Sequence, residues 1–244
     1  MNRESKTMND FASVSDVAAS HADSPKTLAE AAYRQLRRDI IEGIHHPGDK
    51  LRVEHLKDQY SVGAGTLREA LQLLVTDALV VAQGQRGFRV APISLDDFED
   101  ITRTRVLLET VALQQSIELG DDNWEASVVA AFHMLSRAED KLEDGTDAAR
   151  EEWEERNRVF HEVLISACPS RWVRHFQNIL YLQSERYRRL SLFRQPISRD
   201  VHAEHQAIVD AALARNAQEA TRILTEHILR TLEAVRKLPA NLLS

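Results

Sequence analysis

Three features of the sequence predict a mainly α fold, with an N-terminal winged helix-turn-helix followed by an all-α helical bundle. Residues 51–93 place a short helix, a small-residue turn, a second amphipathic helix and a glycine-punctuated basic hairpin in immediate succession. From Ser94 onward, apolar residues recur at three- and four-residue spacing, the period of helices that bury one face. Strand signal is confined to the short runs on either side of Gly84–Gly87. A chain of 244 residues suits two domains. The expected division is a disordered tail over 1–25, a winged helix-turn-helix over 26–93 and an all-helical effector-binding and dimerisation domain over 94–244.

The tail is rich in Ser, Asp and Ala and has no periodicity. A first helix is expected from Thr27 to about Gly43, with Leu28, Ala32, Leu36 and Ile40 on its buried stripe. Pro47-Gly48-Asp49 marks a turn and Leu51-Arg52 a short extended segment. Val53, Leu56 and Tyr60 form the stripe of the next helix. The following helix starts near Gly63, with Leu67, Ala70, Leu71 and Leu74 inward. Six further helices are expected near 94–119, 121–140, 147–167, 171–193, 198–214 and 216–237. Their breaks fall at Gly120-Asp121, Gly145, Pro169-Ser170 and Pro196.

In a helix-turn-helix the second helix enters the major groove with its N-terminal residues against phosphates and base edges. Here that leaves Thr66, Arg68, Glu69 and Gln72 for solvent or DNA. Gly63-Ala64-Gly65 lets the backbone approach a phosphate at a helix N-terminus, where N–H groups lack partners. An arginine at position 68 can contact phosphate or make a bidentate contact to guanine. Arg86 and Arg89 sit on the expected wing. The candidate DNA contacts are therefore Arg52, Gly65, Thr66, Arg68, Gln72, Arg86 and Arg89. The helices alone would equally suit an ordinary helical hairpin; the basic hairpin directly after them selects the DNA-binding reading.

Charge supports that division. The net charge of −7 resolves into +2 over residues 26–93, −7 over 94–244 and −2 over the first 25 residues. The sign of the asymmetry fits a nucleic-acid head on an acidic partner domain. No run approaches the roughly 18 apolar residues of a membrane span, and the N-terminus lacks an apolar signal core. The single cysteine, Cys168, cannot form an intrachain disulfide. A cytoplasmic protein is expected.

Four polar residues interrupt apolar stripes in the second half. Asn157 and His161 lie one turn apart with Trp153, Phe160 and Leu164; His205 shares a stripe with Val201 and Ile208; His227 shares one with Leu224 and Thr231. Three imidazoles from three helices can enclose a divalent ion such as Zn, Ni or Mn, or each can be a core histidine satisfied by a hydrogen bond. Arg105 interrupts the stripe Phe98, Ile101, Leu108 and Ala112. It either pairs with Glu109 four residues on or offers its planar fork to a ligand carboxylate.

Gly65-Thr66-Leu67-Arg68-Glu69-Ala70-Leu71, with the glycine wing at Gln83–Val90, resembles the DNA-binding motif of the GntR family of bacterial transcription factors. Gly63-Ala64 stands where the family has Ser-Arg, and Thr66 where it has Pro, so fewer base-edge contacts are expected. Residues 94–235 resemble the FCD ligand-binding domain of the FadR-type regulators. The correspondence runs through Arg105-Val-Leu-Leu108-Glu109, Asn157-Arg-Val-Phe160-His161, Glu204-His205 and His227. The resemblance implies a homodimeric regulator of double-stranded operator DNA with a metal-floored pocket for small carboxylates. Its metal ligands would be Asn157, His161, His205 and His227. The family's Asp is Asn157 here, and a neutral amide is the weaker ligand.

DDNWEA, the Trp153–His161 region and Arg186-Tyr187-Arg188 are similar to a carbon-starvation-induced, glutarate-responsive branch. The resemblance thus implies a dicarboxylate effector held by Arg105, Asn157 and Tyr187, and control by repression. A metal-dependent enzyme or a metal sensor built on the histidine bundle is the alternative; Glu204, one residue off its stripe, is a poor general base for the former.

Overall fold

A computed structural model describes residues 25–192 and 199–239 of the chain. The expected tail, apart from its last residue, and the break at Pro196 lie outside these residues. The first helix, α1 (Leu28–Ile41), starts where Thr27 caps it, its hydroxyl accepting the Glu30 N–H at 3.0 Å. Ala29, Ala32, Leu36 and Ile40 are buried. Leu28, expected on that stripe, is instead 68% exposed: it is the first residue of the helix, and Ala29 takes its place on the covered face.

Strand β1 (Lys50–Leu51), helix α2 (Val53–Gln59) and helix α3 (Ala64–Thr76) follow. Strands β2 (Val80–Ala82) and β3 (Phe88–Val90) then form the hairpin. The sheet is antiparallel in the order β1-β3-β2, with Leu51 opposite Phe88 and Val80 opposite Val90. At the hairpin tip Gly87 has φ of 89°, a conformation that a side chain would strain. Leu36, Leu67, Leu71, Leu74 and Leu79 are all fully buried in the core beneath the sheet.

The second half is a bundle of α4 (Leu95–Leu119), α5 (Asp122–Lys141), α6 (Asp147–Leu164), α7 (Arg171–Leu192), α8 (Val201–Leu213) and α9 (Ala217–Arg236). Side chains of Ser94, Asp121, Thr146, Asp200 and Asn216 each cap a following helix, satisfying N–H groups that the first turn leaves free. Helix α4 lies against α9 and α7, and α5 against α6 and α8. Trp124, Leu113, Leu135, Trp153, Phe160, Leu164, Ile208 and Leu224 fill the core.

Helix α7 also touches the winged half. Gln183 Nε2 donates to the carbonyl of Asp77, the residue that ends α3, at 2.5 Å. Arg186 donates to the Ala91 carbonyl at 2.7 Å. Tyr187 stacks on Phe98 at 4.4 Å, donates to Asp97 at 2.7 Å and accepts the Ser94 N–H at 3.2 Å. One helix of the bundle therefore grips the end of α3 and the connection into α4.

Candidate functional site

Two polar surfaces stand out, one on the winged half and one inside the bundle. On the first, α3 buries Leu67, Ala70, Leu71 and Leu74 and turns Gly65, Arg68, Glu69 and Gln72 outward, with Thr66 half-buried. Gly63 caps α3 without a side-chain hydrogen bond, so the first N–H groups of the helix have no side-chain acceptor. Arg52, at the start of α2, is exposed, and Arg86 lies in the tight turn Gly84–Arg86 at the wing tip. Arg89 is placed differently. It donates to Gln83 at 3.0 Å and to the Gly48 carbonyl at 2.8 Å, which braces the base of the wing.

Inside the bundle, α6, α8 and α9 bring His161, His205 and His227 together, their nearest ligand atoms all within 4.8 Å of one another. Burial lowers the pKa of all three imidazoles, His227 to about 3, and repulsion among them adds to the effect at His161. They are neutral near pH 7, the form that ligates metal. His205 Nδ1 faces a Glu139 oxygen at 3.1 Å, and His227 Nδ1 a Glu204 oxygen at 2.9 Å. A carboxylate only accepts, so the His205 Nδ1 carries the proton and its Nε2 keeps a lone pair for the centre; the His227 Nδ1 is approached both by Glu204 and by an Arg199 nitrogen at 3.2 Å. His205 Nε2 has no partner, and neither does Asn157 Oδ1, whose amide nitrogen donates to Tyr181 at 2.6 Å. Two orphaned acceptors beside two further imidazoles fit a cation with nitrogen and oxygen ligands.

Three arginines line the same cavity, each held by a carboxylate of its own chain. Arg105 is bidentate to Glu109 at 2.7 and 3.3 Å and donates to Ser184 at 2.8 Å. Arg188 pairs with Glu154 at 2.6 Å and reaches Tyr181. Arg199, just ahead of α8, pairs with Glu204 and donates to Thr231 at 3.0 Å. Burial pushes the Glu204 carboxyl up, but Arg199 and His227 outweigh it and hold it well below the usual range. The indole N–H of Trp153 in the cavity wall has no acceptor. The remaining space is about 20 Å³, room for about one water. Cationic forks and a spare donor make the lining suited to an anion.

Of the residues expected to hold an effector, Arg105 and Asn157 line this cavity and Tyr187 does not; it belongs to the grip between the two halves. Adjacent residues on a helix differ by about 100° in direction, so the neighbouring Arg188 faces the cavity instead. Sequence reasoning missed Trp153, Arg188 and Arg199 in the lining, Tyr181 bonded behind Asn157 and Arg188, and the roles of Glu139 and Glu204 behind the histidines. Glu204, buried beside His205, is a histidine-orienting group rather than a stray neighbour. Among the described residues no helix is long and apolar enough to cross a membrane.

Comparison with known proteins finds two family models along the chain. Residues 28–90 match the model of the bacterial regulatory proteins of the gntR family, and residues 100–230 match the FCD domain. The chain is 46% identical over 233 residues to the HTH-type transcriptional regulator BphR of Paraburkholderia xenovorans, covering 96% of this chain and 95% of that one. It is 34% identical over 209 residues to the HTH-type transcriptional repressor GlaR of Escherichia coli, covering 84% and 94%. Among solved structures, E. coli McbR/YncC superposes with a TM-score of 0.69 at 19% identity, covering 86% of this chain and 98% of that one, a likeness of fold. The winged head, the histidine-lined bundle and these relatives make the chain a member of the GntR family with an FCD domain: a DNA-binding transcriptional regulator and not an enzyme.

Proposed function

We propose that the protein is a cytoplasmic, homodimeric repressor whose grip on operator DNA is released by a small carboxylic acid, a dicarboxylate being the best chemical match. The head over 26–93 reads the operator through Arg52, Gly65, Thr66, Arg68, Gln72 and Arg86. The bundle over 94–244 senses the acid. The observation that carries the sensing half is the convergence of Arg105, Arg188, Arg199 and the unpaired Trp153 N–H on one cavity beside the three histidines. The relative GlaR is named a repressor, which supports the sign of control.

Asn157, His161, His205 and His227 would hold a divalent ion such as Zn, Ni or Mn. Such an ion supplies a Lewis-acidic anchor for a carboxylate oxygen. The chain's own residues do the rest. Arg105 and Arg188 exchange part of their bonding to Glu109, Ser184 and Glu154 for bonds to the acid. Ser184 and Arg188 lie on α7, whose Gln183 and Arg186 hold the end of α3 and the Ala91 carbonyl. A shift of α7 on its cavity side therefore changes how the head is held. Switching requires different acid affinities in the two arrangements, typically about 1–3 kcal/mol of coupling.

Fluorescence anisotropy of a labelled fragment from upstream of the gene tests this reading. C4–C6 dicarboxylates are added with and without Zn, Ni or Mn. Tight binding of the fragment, reversed by at least one acid, is the expected result. Release by metal alone would make the ion itself the effector, and indifference to every acid would overturn the proposal.

A further inference from the structure

The bundle leaves one face of α4 uncovered. Leu107 and Val111 are 68% and 49% exposed and lie one turn apart, so they form one contiguous apolar patch in mid-helix. They share a stripe with exposed Arg103, Gln114 and Glu118, because residues three and four apart lie on one side of a helix. Helices α7 and α9 occupy the other sides of α4. The order along the stripe is cation, leucine, valine, amide, anion.

We propose that this stripe docks a second copy of the chain, α4 against α4, antiparallel about a two-fold axis passing between Thr110 and Val111. The inference rests on the dimeric reading above and adds the surface that forms the dimer. A two-fold interface is self-complementary, so what one copy offers the other must accept. Positions equidistant from the axis face each other. Val111 meets the partner's Thr110, Leu107 meets the partner's Gln114, and Arg103 meets the partner's Glu118. The apolar pair is thus flanked at both ends by an Arg–Glu pair. A parallel arrangement would set Arg103 on arginine and Glu118 on glutamate.

Within one chain Arg103 reaches only Asp100 at 3.1 Å, and Glu118 accepts from Gln114 at 2.8 Å, both exposed contacts that are readily exchanged. Area decides how far the surface extends. A helix of this length spans about 37 Å and covers on the order of 400 Å² against another helix, about half of what each partner contributes to a standard interface. The neighbouring α9 supplies more. Its Arg236 is bonded to Glu99 at 2.7 Å and Arg215, just ahead of it, to the Ile117 carbonyl at 2.6 Å, so α9 runs antiparallel beside α4 and sets Leu229, 43% exposed, about level with Leu107.

Light scattering coupled to size exclusion on the full chain tests the proposal, with circular dichroism confirming the fold of each variant. Wild type should run as a dimer and Leu107→Glu as a folded monomer. Arg103→Glu and Glu118→Arg should each raise the dimer Kd about tenfold, two weak ion pairs being lost per dimer, and the double variant should restore it. Val111→Cys should give a disulfide-linked dimer under mild oxidation. The wild type, with Cys168 buried, should give none. A monomeric wild type would overturn the dimeric reading and this surface with it. A wild-type dimer that survives Leu107→Glu, with no Val111→Cys cross-link, would overturn the α4 surface alone.

Discussion

The two halves of this regulator are both built mainly of helices, yet they bury different chemistry. In the winged half the core is a run of leucines, valines and aromatics, and among the described residues Asp39 is its one buried charge. The bundle buries Arg105, Glu109, Glu154, Asn157, His161, Arg188, Glu204, His205 and His227. Burying ions is costly, and replacing a buried pair with apolar residues often stabilises a protein. The contrast teaches where each half works. On the proposed reading the head acts at its surface and keeps an ordinary core, whereas the bundle acts in its interior and accepts a polar core to do so.

The sharpest way to break that comparison is to remove one member of a buried pair. Arg188→Ala leaves Glu154 buried without its partner and should destabilise the protein by about 3–5 kcal/mol. Chemical denaturation checks this. Replacing both, Arg188→Met with Glu154→Leu, should recover most of that loss while abolishing the response to acid. If the single change costs nothing, the buried pair is not what distinguishes the bundle.

Next in size is the head. Arg68→Ala should weaken operator binding by about 1–3 kcal/mol in the anisotropy assay and shift stability by no more than about 0.5 kcal/mol. Unchanged DNA affinity would remove α3 as the reading element.

A further test concerns the acid response of the interior. The folded pKa of His227 is depressed to about 3, so between its unfolded value near 6.5 and that figure the unfolded chain binds more protons. Metal-free protein should therefore lose stability as pH falls below about 6.5, and His227→Gln should flatten that slope. An unaltered slope would mean that other groups govern it.

The smallest effect separates the two wing arginines. Arg86→Ala should lower the salt dependence of DNA binding by about one unit of slope. Arg89→Ala should act through wing order, lowering amide protection of the hairpin. Equal salt effects from both would place Arg89 on the DNA as well.

Much of this was legible in the sequence, because helices with one apolar face announce their bounds and their intruders. The expected helix at 94–119 is observed at 95–119, and the stripe Leu67, Ala70, Leu71 and Leu74 is buried in full. Asn157, the three histidines and Arg105 were visible because each breaks an apolar period. Their partners were not. Glu139 and Arg199 reach the site from positions with no local signal, and their pairing depends on how distant helices pack. Tyr187 was misdirected for a related reason. Helix α7 has two working faces, and a motif on it does not say which residue looks which way.

The small size of the cavity has a kinetic consequence. Ligand sites for small molecules usually enclose about 300–1,000 Å³, whereas this one has room for about one water. On the proposed reading a diacid enters only once the arginines part from Glu109, Glu154 and Glu204, so opening precedes capture. The observed association rate should then level off at high acid concentration, at the opening rate itself. The speed at which such a switch turns on is written into three internal ion pairs and not into the supply of its signal.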